Sequence, residues 1–161
     1  MRVYLAATLP ALARWLADGQ APPGPAHAVT PALREWYREG SEEEMEYVAS
    51  LAAGRSCLDL LAVDLDAPRR RVVVAAEVAD LDVAPAGPGR SGVVVGAPVP
   101  VSRWASALVD DEDSEAVVSA AVTALGGAVA GDDDAAFALD EAGATELAWY
   151  AVQELPDLLA D

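Results

Sequence analysis

Arg70-Arg71-Val72-Val73-Val74-Ala75-Ala76-Glu77-Val78 is the stretch that decides the fold. Three consecutive β-branched residues followed by two alanines leave no polar face, so the run predicts a strand covered on both sides, at the centre of a sheet. Upstream, Arg2 to Ala7 predicts an opening strand, and Thr8 caps a helix that has Pro10 in its first turn and stops at Gly19. The proline-rich segment Gln20 to Pro25 predicts a surface loop, and Ala26 to Val29 a short strand. Thr30-Pro31 starts a helix expected to reach Gly40. Ser41-Glu42-Glu43-Glu44 is a capping box opening a long helix to about Val63, with Met45, Val48, Leu51, Ala52, Leu58 and Leu61 as its apolar stripe. Gly54 is its weak point, costing ~1 kcal/mol relative to alanine.

Downstream, Asp80 to Ser91 predicts an exposed loop and Gly92 to Gly96 a short strand. Val101 to Val109 predicts another strand, with Trp104 and Leu108 facing away from Val101, Ala105 and Val109. A helix from Ser114 to Leu125 is expected to close at Gly126-Gly127. Phe137 to Asp140 is expected as a strand and Ala144 to Leu155 as the last helix, kinked or restarted at Pro156. This order predicts one domain over residues 1–161. The class is α+β, a mixed sheet with helices mainly on one face, ferredoxin-like or related. The paired dipeptides Trp36-Tyr37 and Trp149-Tyr150 suggest an internal duplication of strand and helix elements, weighed against chance likeness of two amphipathic helices.

Composition sets the partners. The chain has no isoleucine, asparagine or lysine, the pattern of a very GC-rich genome, and 27 acidic residues against 10 arginines give a net charge of −17. That charge repels the phosphate backbone and anionic lipid, so neither nucleic acid nor membrane is expected as a partner. The apolar start of the chain superficially resembles a secretory signal, but Thr8, Pro10 and Arg14 interrupt it. One cysteine, Cys57, forbids an internal disulfide and suits a reducing compartment, so a soluble cytoplasmic protein is expected.

Candidate chemistry is sparse. His27, the single histidine, lies on a short apolar strand, where a structural role outweighs a catalytic one. Cys57 lies inside the long helix without an activating motif, and nothing in the sequence brings it to His27. Three acidic runs, Glu42 to Glu44, Asp110 to Asp113 and Asp132 to Asp134, offer oxygen ligands for calcium or magnesium, but none has EF-hand spacing and two are explained as helix starts. No metal and no cofactor are expected. Phosphate-loop, dinucleotide and nucleophile-elbow motifs are absent. Arg34 with Arg38, or Arg69 to Arg71, could hold an anion, although ion pairing is the stronger reading. The Trp-Tyr pairs serve either as core fillers or as a binding surface.

The stretches Ala28 to Trp36, Arg71 to Ala76 and Glu146 to Leu158, with the opening Met1 to Tyr4, resemble a family of small actinobacterial proteins known only as a domain of unknown function. The resemblance covers nearly the whole chain and implies no activity, cofactor or catalytic residue. The expectation is therefore a non-catalytic binding module for a protein partner or small molecule. Its site is expected around Thr30, Arg34, Trp36 and Tyr37 together with Glu146, Trp149, Tyr150 and Gln153. The alternatives are a divalent-metal or carboxylate-based hydrolase using Asp132, Asp133, Asp134 or Asp140 with His27, and an acidic decoy for a basic partner.

Overall fold

A computed structural model describes residues 1–87 and 89–160. In chain order it contains β1 (Arg2–Ala7), α1 (Leu9–Asp18), β2 (Gln20–Ala21), β3 (Gly24–Ala28), α2 (Pro31–Trp36), α3 (Glu42–Val63), β4 (Val72–Glu77) and β5 (Val83–Pro85). There follow β6 (Gly92–Val95), β7 (Val99–Pro100), β8 (Trp104–Val109), α4 (Glu115–Val129), α5 (Asp133–Ala144), β9 (Ala148–Tyr150) and α6 (Leu155–Ala160). The fold is α+β. Seven strands form one sheet in the order β5-β6-β3-β1-β4-β8-β9, and β2 and β7 form a separate ribbon. Every described pairing is antiparallel, so the sheet is not the mixed one expected.

The valine run becomes β4, flanked by β1 and β8 and covered on both faces. Val72, Val74 and Ala76 join Val3, Leu5, Ala107 and Val109 on the face that takes Leu12 of α1 and Leu155 of α6. Val73 and Ala75 join Tyr4 on the opposite face, against Ala49, Ala53 and Cys57 of α3. The buried stripe of α3 therefore differs from the expected one: Leu51 is exposed, and small residues one turn apart meet the sheet. Tyr4, Val73 and Leu108 fill the sheet side of this contact, so a helix can lie close to it only with small side chains. The far half of α3 packs Leu58 and Leu61 against Val118, Ala121 and Ala142 of the α4–α5 hairpin.

Several expected boundaries move, each for a physical reason. Helix α4 runs through Gly126-Gly127 and ends at Val129, because the glycine with left-handed φ is Gly131 at +90°. Gly127 serves packing, since a Cβ there would sit 3.0 Å from the Cβ of Ala135. Phe137 to Asp140 is helical, not a strand, because Asp132 caps α5 by accepting from the amides of Asp134 and Ala135. Ala148–Tyr150 is a strand rather than part of a last helix, adding to the edge of β8. That helix begins only at Leu155, with Pro156 in its first turn, where a missing amide loses nothing. Helix α2 stops at Trp36. The expected loop 80–91 contains a strand, β5, and Pro88 within it lies outside the described residues.

In β8 the register shifts, so that Ala75 faces Ser106 while Ala76 faces Trp104. The extra residue, Ala105, is a bulge that turns Trp104 to the α1 face, where it meets Trp15 edge-on at 6.4 Å, while Leu108 faces α3. Trp104 and Leu108 therefore do not share a face. Nor do the Trp-Tyr pairs share a structural role: Trp36 ends a helix and Trp149-Tyr150 lies in a strand, which removes the motive for an internal duplication.

At one end of the β4–β8 pair lies a buried ion pair. The Arg71 guanidinium donates to both Asp110 oxygens, from Nε at 2.7 Å and Nη2 at 2.9 Å, and to the carbonyls of Ala142 at 2.9 Å and Thr145 at 3.1 Å. The amide of Arg71 donates to the same carboxylate at 2.8 Å. Arg71 and Asp110 side chains are 4% and 0% exposed, so both charges are satisfied inside the protein. Removing one partner strands the other, which costs ~3–5 kcal/mol. Asp110→Ala and Arg71→Ala are each expected to lose about that much in chemical denaturation. The double variant Arg71→Met/Asp110→Leu strands no charge but leaves the residue 71 amide and the carbonyls of Ala142 and Thr145 unpaired, so it is expected to lose clearly less than the two singles added together; a fully additive loss shows that the stranded charge is not the cause.

Candidate functional site

Helix α3 has a cleft on each flank. The first lies between α3, α2 and the loop before β6, has a volume of about 470 Å³, and is lined among others by His27, Trp36, Arg55, Ser56, Arg90 and Ser91. Its walls follow from local chemistry. Thr30 caps α2 by accepting from the amide of Leu33 at 3.1 Å, and its hydroxyl donates to the carbonyl of Arg90, tying that loop to the helix start. The Arg90 guanidinium lies 4.6 Å over the Trp36 ring, a cation–π contact that holds an otherwise free side chain in place. Tyr37 stacks on Trp36 at 5.9 Å. Gly40 is required beneath it, since a Cβ there would come within 1.9 Å of the tyrosine ring.

His27 is buried at the floor of this cleft, on the α3 side of β3. Its Nδ1 pairs with Ser91 Oγ at 2.9 Å and its Nε2 with Ser56 Oγ at 2.8 Å. Burial lowers its affinity for a proton below the ordinary value, so the neutral imidazole is favoured. Serine, imidazole and a second hydroxyl in a row have the order of a nucleophile, its base and an orienting group. Ser56, however, lies in the interior of α3, where neighbouring amides are spent on helix hydrogen bonds and cannot form an oxyanion hole. The arrangement is suited to binding a hydrogen-bond acceptor rather than to acyl transfer.

The second cleft lies between α3, α5 and the β8–β9 edge, with a volume of about 390 Å³. Leu51, Leu58, Val73, Leu108, Leu139 and Leu147 line it, with Thr145 and Glu146 at the side that Arg71 anchors. Gly54 and Gly143 also face it, and a Cβ added at either would meet nothing within 4 Å. Arg55 reaches both clefts.

The expected site residues thus divide into two groups. Trp36 lines the first cleft, Thr30 and Tyr37 support it without lining it, through the Arg90 carbonyl and the Trp36 ring, and Arg34 is committed to Glu42 by two bonds of 2.7 and 2.8 Å. Glu146 lines the second cleft. Trp149 is exposed and faces the α3 side opposite Leu108, Tyr150 packs toward the other face, and Gln153 is exposed in the turn before α6. Strand β9 is four strands from β3, ~19 Å at sheet spacing, so the groups do not converge. The carboxylates of the hydrolase alternative are not brought to His27: Asp132 is occupied as a cap, and neither cleft containing His27 includes Asp133, Asp134 or Asp140. Among the described residues no group of three or more histidine, cysteine or carboxylate side chains is placed to hold a metal ion. Of the three arginines 69 to 71, Arg69 donates to the Leu61 carbonyl at the end of α3 and Arg70 to that of Asp110, so all three are internal ties.

Ser56, Ser91 and Arg90 had no signal in the sequence. They meet His27 across separations of 29 and 64 residues for the two serines, which only the fold supplies. Cys57, next to Ser56, points the other way: its thiol is fully buried, donates to the Val72 carbonyl at 3.0 Å, and burial pushes it from 9.0 to about 11. A thiol raised in this way stabilises the fold fully below its unfolded value and gives that stability up as pH rises toward the folded one. Stability is expected to fall between pH 9 and about 11, roughly 2 to 3 kcal/mol of it through this thiol. Comparing denaturation of the wild type and Cys57→Ala across that range checks it, because the variant must lack this share of the slope.

Among the described residues, no helix is long and apolar enough to cross a membrane. No curated protein and no solved structure matches the chain. A family model does, over residues 1–159, and it is described as a family of unknown function (DUF6912). The chain belongs to that family.

Proposed function

We propose that the protein is a non-catalytic binding module whose ligand is a small, largely apolar molecule held between α3 and α5. The single observation that carries this reading is Gly54. A glycine in a helix interior costs ~1 kcal/mol relative to alanine, and here the missing methyl would touch nothing. What the glycine provides is open volume in a cleft of six apolar side chains. A volume of about 390 Å³ lies in the range of small-molecule sites, and the arrangement of apolar walls with a few polar groups at the mouth is the usual one. Glu146 and Thr145 are the orienting groups, and Trp149, which shares the face of Leu108, continues the surface along the β9 edge, while Tyr150 packs on the opposite face. The lone cysteine supports a cytoplasmic location, and the GC-driven composition supports an actinobacterial origin.

Neutral 2-naphthol, followed by ligand-observed NMR, tests the cleft. It is expected to bind the wild type and to bind Gly54→Leu or Gly143→Leu at least about tenfold more weakly, a loss of ~1.4 kcal/mol. Gly54→Ala is expected to raise stability by ~0.5–1 kcal/mol in denaturation. No saturation transfer to the wild type, or undiminished binding by both leucine variants, would overturn the reading.

A further inference from the structure

We propose that the cleft between α2 and α3 is a second site, which takes a small oxyanion through the Ser56–His27–Ser91 row and the guanidinium groups of Arg55 and Arg90. The argument begins with a count of hydrogens. A neutral imidazole has one N–H and each serine one O–H. Two of these three are used in the bonds from Nδ1 to Ser91 and from Nε2 to Ser56. Whichever tautomer is present, one hydroxyl hydrogen is left over, directed away from the imidazole. A protonated imidazole donates from both nitrogens and leaves two hydroxyl hydrogens. The row thus always offers a donor and never an extra acceptor from the ring, which selects a ligand rich in lone pairs.

Charge points the same way. In a chain with 27 acidic residues and 10 arginines, pairing each guanidinium with a carboxylate is easily met. Yet among the described residues neither Arg55 nor Arg90 forms an ion pair. Both line the cleft that His27 floors, and Arg90 is held there by Trp36. Among the described residues Asp59 is the single carboxylate lining this cleft, leaving an excess of positive charge. On the other side of Ser56 a neighbouring cleft, which Asp59 also lines, brings Arg14 and Asp64 toward His27, so across the two clefts three arginines face two carboxylates and the excess stays positive. A tetrahedral or planar oxyanion accepts from guanidinium forks and hydroxyls together, which matches this donor set.

Anion binding and protonation of His27 are linked, because the imidazolium frees the second hydroxyl. The anion therefore raises the proton affinity of His27, and binding tightens as pH falls. The chain has one histidine, so the imidazole resonance of the tag-free protein reports this residue alone. Its titration is to be followed by NMR with sodium sulfate, sodium acetate or sodium chloride at matched ionic strength. Sulfate or acetate is expected to raise the midpoint by about 0.5 unit or more over chloride, and the shift is expected to vanish in Arg55→Gln/Arg90→Gln and to shrink in Ser91→Ala. A shift with sulfate alone assigns a phosphate-like ligand, and with acetate alone a carboxylate. Equal midpoints in all three salts, or a shift that survives the double arginine variant, overturns the proposal. Loss of naphthol binding in the other cleft would leave this result untouched.

Discussion

The buried pair of Arg71 and Asp110 is the interaction on which the architecture turns. It joins the ends of two neighbouring interior strands, β4 and β8, by side-chain and main-chain bonds at once. The same guanidinium reaches the end of α5 and the segment leading to β9. One side chain thereby sets where the α4–α5 hairpin stands relative to the sheet, and so the width of the cleft beneath it. Desolvating two charges is costly, and excellent geometry with the remaining donors satisfied is what makes the arrangement tolerable. Among the described residues no buried side-chain nitrogen or oxygen lacks a partner, so that cost is met without leaving another elsewhere.

The second constraint is steric. Helix α3 approaches the sheet through Ala49, Ala53 and Cys57, and this close seating leaves its larger side chains at the flanks. Leu51 and Leu58 turn to one side and Val48 and Ser56 to the other, where they line the two clefts. The clefts are thus a product of how the helix is seated rather than separate additions to the fold.

What could be read from the sequence follows the range of the interactions involved. The opening strand, the Ser41 cap, the long helix and the valine run of β4 depend on neighbouring residues, and each stands where expected, although of the capping box only the bond from the Glu44 amide to the Ser41 hydroxyl forms. Local pattern yields to tertiary context in two places. Leu147 to Tyr150 has helical spacing but sits at an open sheet edge, and Gly126-Gly127 looks like a stop but admits a neighbouring helix. The site was less legible. His27 reads as structural until Ser56 and Ser91 arrive from distant segments, and Arg34 looks as available as Arg90 until Glu42 takes it. An arginine's partner is a property of the fold, not of its neighbours.

The lengths of the outer strands have a consequence of their own. Strands β1, β4 and β8 each run six residues, whereas β5 and β9 at the two edges run three, and β5 ends in Pro85. An edge strand is a template for pairing with another chain, and short length and proline both blunt it. A chain that is 53% hydrophobic, with a valine-rich interior strand, has much to lose from such pairing. Its most β-prone sequence is enclosed by neighbours on both sides, and the ladder it leaves open to strangers is three residues long.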